Sequence, residues 1–146
     1  VERLKIAFGA DDENETTQAV VDCLARAGHE VVSVTTSEKW PEIGEAVGRA
    51  VVDGTADRGV VMCWTGTGTA IAANKVPGVR AALAWDPWIA RGARLWNDAN
   101  VLAMSLKRLA PDVAAEVTQA FLDPSEPDAD EADNIAALSG IEQRSG

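Results

Sequence analysis

Two kinds of hydrophobic block alternate along this chain. Leu4-Lys5-Ile6-Ala7-Phe8-Gly9, Val31-Val32-Ser33-Val34, Val60-Val61-Met62-Cys63, Val79 to Trp85 and Asn100 to Met104 are short, nearly continuous apolar runs. That is how strands covered on both faces read. Between them apolar residues recur at helical spacing: Ala19, Val20, Cys23, Leu24 and Ala27, then Ile43, Val47, Ala50 and Val51, then Val113, Val117 and Phe121. The first set predicts a helix from about Glu15 to Ala27, stopped by Gly28. The second ends at Asp53-Gly54 and the third opens at Pro111. Thr35 to Pro41 reads as a loop carrying Trp40, and Ile71 to Lys75 as a helix stopped by Pro77-Gly78. Asp86-Pro87 opens another helix, with Asp as cap and Pro in its first turn. Five strands alternating with helices predict an α/β fold, with a five-stranded parallel sheet between two helical layers. This domain takes residues 1–124. Residues 125–146 read as an acidic linker and a weakly helical C-terminal arm, about Glu131 to Gln143.

Composition narrows the function. The net charge is −10, with no basic stripe to neutralise phosphates, so nucleic acid is not an expected partner. No apolar run approaches the ~20 residues of a membrane helix, and no signal-peptide pattern opens the chain. Cys23 and Cys63 form no disulfide framework, and His29 is the one histidine, so no metal site is expected. A cytoplasmic protein is the expectation.

The candidate chemistry lies at the carboxyl ends of the strands, where ligands of open α/β sheets sit. These ends offer Asp11-Asp12, Thr35-Thr36, Cys63 to Gly68, Asp86 and Met104-Ser105. Val60 to Cys63 runs into a small, hydroxyl-rich loop, Thr65 to Thr69, and then a helix. A strand, glycine loop and helix in that order aim backbone N–H groups at one point, suited to an anion or a developing oxyanion. Cys63 lies at the edge of that point, where the positive helix end favours thiolate. Cys23 falls on a core face and reads as structural. His29 reads as a polar residue at a strand start.

Four segments carry a family resemblance: Lys5-Ile6-Ala7-Phe8-Gly9-Ala10-Asp11, Cys63-x-Thr65-Gly66-x-Gly68-x-x-Ile71-Ala72-Ala73-Asn74-Lys75, Gly78-x-Arg80-Ala81 and Asn97-Asp98-x-Asn100-Val101-Leu102. In order and spacing the chain resembles the type B ribose-5-phosphate isomerases and the galactose-6-phosphate isomerase subunits, over roughly residues 3 to 122. The resemblance implies a Rossmann-like domain, a homodimer or dimer of dimers, a small-molecule substrate, and metal-free, cofactor-free aldose–ketose isomerisation through a cis-enediolate. It implies Cys63 as the base at carbon and Thr65 as a proton relay between oxygens. It places the enediolate oxygen on backbone N–H groups from Trp64 through Gly66 and Thr67 to Gly68, with the Asn97 side chain, and sugar hydroxyls on Asp11. The C-terminal arm packs on the partner subunit in the family.

The departures fall at functional positions. Asp12 stands where the family has a phosphate-binding histidine, and Trp96 where it has the ring-opening histidine. Trp64 replaces a glycine and Trp40 a tyrosine. Ala132-Asp133-Asn134-Ile135-Ala136 stands where an Arg-His-x-x-Arg clamp is expected. Each lost cationic partner removes a charge-assisted hydrogen bond of roughly 1.5–3 kcal/mol. Arg80, Arg91 and Arg94 compensate in part if they face the site. Asp12 either adds an acid or base beside Asp11 or caps the following helix. Trp85 and Trp88 are expected in the core or a dimer interface, whereas Trp40, Trp64 and Trp96 are expected to line the pocket. Three readings follow: an isomerase for an unphosphorylated or more apolar substrate, a non-catalytic binding or partner subunit, and a ribose-5-phosphate isomerase with substitute phosphate ligands.

Overall fold

Each apolar run becomes a strand of one sheet, and each periodic segment a helix laid against it. The computed structural model describes residues 2–124 and 126–145. The order is β1 (Lys5–Ala10), α1 (Glu15–Arg26), β2 (Glu30–Ser33), α2 (Trp40–Val52), β3 (Arg58–Cys63), α3 (Thr67–Asn74), β4 (Ala81–Leu83), α4 (Pro87–Asn97), β5 (Val101–Ser105) and α5 (Pro111–Leu122). A 3-10 turn, Ala129–Glu131, leads into α6 (Ala132–Ser145). The sheet is five-stranded, in the order β2-β1-β3-β5-β4, and every pairing is parallel.

Side chains of successive strand residues point to opposite faces, so the core divides in two. Ile6, Val60, Met62, Leu102 and Met104 face α1, α4 and α5, where Val20, Leu24, Val117 and Phe121 meet them. Ala7, Val61, Val101 and Ala103 face α2 and α3, against Ile43, Val47, Ala70 and Ala73. This second layer is made of smaller residues. Gly44 lets α2 close on α3, since a Cβ there would lie 2.6 Å from the Ala72 Cβ and 2.8 Å from the Thr69 carbonyl oxygen.

The structure moves some expected boundaries. Helix α3 begins at Thr67 rather than Ile71, because Gly66 turns the chain with φ +80° and starts the helix at once. Strand β4 covers Ala81–Leu83 rather than Val79 to Trp85. At its start Val79 N–H bonds back to the Val76 carbonyl, and at its end Asp86 already caps α4 by accepting from Ile89 N–H at 2.8 Å. Trp40 opens α2 instead of lying in the preceding loop, with Pro41 in the first turn. The expected linker and arm appear as the 3-10 turn and α6, and no described residue of α6 is buried.

Two motif asparagines hold the sheet edge. The Asn74 side chain bonds both the N–H (2.8 Å) and the carbonyl (3.0 Å) of Ala81. The Asn100 side chain accepts from Arg80 N–H at 2.7 Å and donates to the Gly78 carbonyl at 3.0 Å. Close packing at Gly44 predicts that Gly44→Ala destabilises the protein by about 1–3 kcal/mol. Urea unfolding should show a lower midpoint with an unchanged m-value.

Candidate active site

The chain winds to one side of β1 to make β2, then returns to its other side to make β3. The carboxyl ends of β1 and β3 therefore flank the crevice where the winding reverses, the favoured ligand position of such sheets. Asp11 follows β1 and Cys63 ends β3. They line one cavity of about 460 Å³ with Trp40, Trp64, Thr65, Thr67 and Gly68. Asp11 also lines a second cavity of about 720 Å³, between α1 and the loop after β2.

The loop that holds Cys63 has little freedom. Gly66 takes positive φ, and a Cβ there would lie 2.6 Å from Leu83 Cδ1 and 2.8 Å from the Met104 carbonyl carbon. Ser105 Oγ donates to the Trp64 carbonyl at 2.5 Å and accepts from Arg108 N–H at 2.9 Å, pinning the loop to the end of β5. The turn brings Gly66 N–H to 3.2 Å from Cys63 Sγ. Thr69 Oγ1 donates to the same sulfur at 3.4 Å. Cys63 is 4% exposed. Thr65 and Thr67 share a hydroxyl–hydroxyl hydrogen bond at 2.7 Å, and Thr67 N–H reaches Thr65 Oγ1 at 3.3 Å. Gly66 N–H thus serves the sulfur and Thr67 N–H a hydroxyl. The N–H groups of Thr65 and Gly68 have no acceptor among the described residues. Thr69 was not among the expected site residues. The signal for it was a hydroxyl in the first turn of the helix after the cysteine.

The tryptophans divide. Trp40 lies on the loop, its ring 3.0 Å from where a Gly68 Cβ would be. Trp64 is more than half exposed, and Lys107 Nζ sits 4.9 Å from its ring centroid, a cation–π contact. Trp96 and Asn97 end α4, just before β5 starts beside the first residues of β3. This is the opposite end of the sheet from Cys63, so one chain does not bring them to the cavity. Trp96 folds over Gly92, meets Trp88 edge-on at 5.5 Å, and donates from Nε1 to Asp128 Oδ2 at 3.2 Å. Trp85 and Trp88 are 60% and 69% exposed and so do not pack in this chain's core.

Arg80 and Arg94 do not supply a phosphate clamp within the chain. Both bind Asp98, at 3.2 and 2.9 Å. Asp98 ends α4 with φ +50°, and the two guanidinium groups anchor that turn. Asp12 is not the cap of α1: Asn14 is, in a reciprocal capping box with Thr17. Asp12 accepts from Glu13 N–H at 2.9 Å. His29 Nδ1 accepts from Leu4 N–H at 3.0 Å, and burial and then the Arg58 charge hold its imidazole below the usual value. It is a buried structural residue away from the cavity.

Asp11 is the electrostatic centre of the crevice. Burial, and then the neighbouring Asp12 charge, push its carboxyl above the usual carboxylate range. Its Oδ1 is buried without a hydrogen-bond partner. Among the described residues no three His, Cys, Asp or Glu side chains group to hold a metal ion, and no helix is long and apolar enough to cross a membrane.

A Rossmann-like α/β fold with a cysteine, a glycine loop and a carboxylate at its switch point defines a class of small-molecule site, and comparison with known proteins narrows it. The ribose/galactose isomerase family model matches residues 6–138. D-erythrulose-4-phosphate isomerase of Pectobacterium atrosepticum is 36% identical over 126 residues, 82% of this chain and 83% of that protein. Ribose-5-phosphate isomerase B of Escherichia coli is 34% identical over 145 residues, 96% of this chain and 97% of that protein. The structure of Clostridium thermocellum ribose-5-phosphate isomerase B superposes with a TM-score of 0.90 at 33% identity, covering 97% of this chain and 99% of that one. The chain belongs to the ribose/galactose isomerase family.

The raised Asp11 carboxyl has a consequence for stability. The folded state binds this proton more tightly than the unfolded chain does. Its contribution is therefore present below the unfolded value of about 4 and is lost as pH rises through the folded value. Asp11→Asn should melt higher than the wild type at pH 7, with the gain shrinking as pH falls towards about 4, in paired thermal melts.

Proposed function

We propose that this protein is an aldose–ketose isomerase that uses Cys63 as its base. The observation that carries the reading is the pair of donors converging on Cys63 Sγ inside the switch-point cavity. Both contacts use the sulfur as acceptor, the polarity that proton abstraction needs. Sγ takes the proton from the carbon beside the carbonyl, and the released electron pair forms the enediolate double bond. The N–H groups of Thr65 and Gly68 receive the oxygen that becomes negative. Thr65 Oγ1 moves the proton between the two oxygens, and Sγ returns its proton to the neighbouring carbon. The reaction is internally balanced and consumes no second reactant.

The substrate of this reading is an unphosphorylated sugar or a more apolar hydroxy-carbonyl compound. The larger cavity leading from Asp11 is lined by Asp12, Glu13 and Glu38 together with Thr35, Thr36 and Ser37, with no lysine or arginine in its lining. A dianion placed there would meet like charge. Trp40 and Trp64 give the smaller cavity aromatic walls. One observation favours the alternative of a phosphorylated substrate with a substitute ligand: Lys107 brings its ammonium group over Trp64 at the cavity edge.

The working unit of this reading is a cytoplasmic homodimer or dimer of dimers. A second copy would carry Trp96 and Asn97 to the Cys63 cavity, cover the exposed Trp85 and Trp88, and receive α6, which its own chain leaves unburied.

Proton exchange in D₂O, followed by NMR, tests the reaction on ribose 5-phosphate, free ribose and unphosphorylated α-hydroxy carbonyl compounds. Cys63→Ala is expected to lower exchange by about 10²-fold or more, and a variant exchanging at the wild-type rate would sink the assignment of the base. Exchange on an unphosphorylated compound that is insensitive to millimolar sulfate supports the unphosphorylated-substrate reading. Sulfate-sensitive exchange confined to ribose 5-phosphate supports the Lys107 reading.

A further inference from the structure

One buried hydroxyl in contact with the sulfur has no place in the steps above. Thr69 lies in the first turn of α3 and is 0% exposed. Its Oγ1 is 3.4 Å from Cys63 Sγ and 3.3 Å from the Gly66 carbonyl oxygen. A hydroxyl carries one proton, so it donates to one of these acceptors at a time. The surroundings otherwise favour small apolar side chains: Ala70 and Ala73 fill the same helix. A valine would match the shape of threonine there and leave no polar atom to satisfy.

We propose that Thr69 is a positioning residue for Cys63, a hydroxyl that turns between the sulfur and the Gly66 carbonyl as the sulfur gains and loses its proton. The inference rests on the reading of Cys63 as base. With the sulfur unprotonated, Thr69 O–H and Gly66 N–H both donate to it and fix its direction. When the sulfur has taken the substrate proton, the hydroxyl turns its own proton to the Gly66 carbonyl. Its oxygen is then open to accept from S–H. Only the hydroxyl rotates. No proton enters or leaves, and the one taken from carbon is kept on the sulfur for return. The backbone of Thr69 cannot shift towards α2, because its carbonyl oxygen already lies against Gly44.

The test needs no substrate. Iodoacetamide alkylation of Cys63, followed by peptide mass spectrometry with Cys23 as internal reference, is compared in wild type, Thr69→Val and Thr69→Ser. Loss of one hydrogen bond to the reacting atom predicts about tenfold slower alkylation in Thr69→Val. Thr69→Ser, which keeps the hydroxyl, should react within about threefold of wild type. Thr69→Ala replaces the valine variant if that one does not fold. Wild-type reactivity in the variant lacking the hydroxyl overturns the proposal. So does a folded Thr69→Ser as slow as that variant, because the role would then be packing. The two readings fail separately. If Cys63→Ala retains proton exchange while the Thr69 series behaves as expected, the assignment of Cys63 as base falls and the Thr69 contact to the sulfur stands. If exchange needs Cys63 but alkylation ignores Thr69, the reverse holds.

Discussion

The turn at Gly66 is the constraint on which the site depends. Positive φ disfavours any side chain there, and the wall formed by Leu83 and the Met104–Ser105 backbone excludes one sterically. A chain free of both restrictions would leave β3 by a wider loop. Instead it doubles back within three residues of Cys63, so one amide N–H reaches the sulfur and the helix starts at Thr67. The small residues of the layer made by α2 and α3 serve the same end. They let α3 sit close to the sheet, which brings the Thr69 hydroxyl to the sulfur from the helix side. Packing and chemistry are here one requirement, because the residues that fill the layer also set the donor distances.

Much of the architecture was legible in the chain. Strands β1, β3 and β5 are apolar on both faces because both faces are covered, and unbroken runs such as Val60 to Cys63 announce that directly. Asp86-Pro87 and Pro111 marked helix starts by local chemistry that does not depend on the rest of the fold. The start of α3 was misplaced because it is fixed by a turn whose steric walls come from distant residues of β4 and β5. Strand β4 is shorter than its apolar run because the Val76–Val79 turn and the Asp86 cap claim its ends. Cys63, Thr65 and the glycine loop were legible because they are contiguous. Trp96 and Asn97 lie on a helix end that topology carries to the far edge of the sheet, and residue spacing does not reveal that. The cap of α1 went to Asn14 rather than Asp12 because the capping oxygen sits three residues before the N–H that donates to it, at Thr17.

The departures from the family pattern concern charge more than shape. The fold is that of relatives named as sugar-phosphate isomerases, while the crevice around Asp11 holds carboxylates where a phosphate would need cations. The two arginines that match the family, Arg80 and Arg94, are occupied in tying Asp98 into the turn before β5. Their role in this chain is to hold α4 to the sheet. Family motifs thus mix two kinds of residue. Asn74, Arg80 and Asn100 keep the frame, and Cys63, Trp64, Thr65, Thr67 and Gly68 line the cavity.

The Asn74 side chain also bears on solubility. Strand β4 is the sheet's last strand and would ordinarily offer free backbone groups to any extended chain. At Ala81 both the N–H and the carbonyl are taken by one side-chain amide, which imitates a neighbouring strand. With only three residues in the strand, little is left for a sixth strand to pair with. The edge is capped from within, so the β4 side of the folded sheet lacks one of the common templates for β-aggregation.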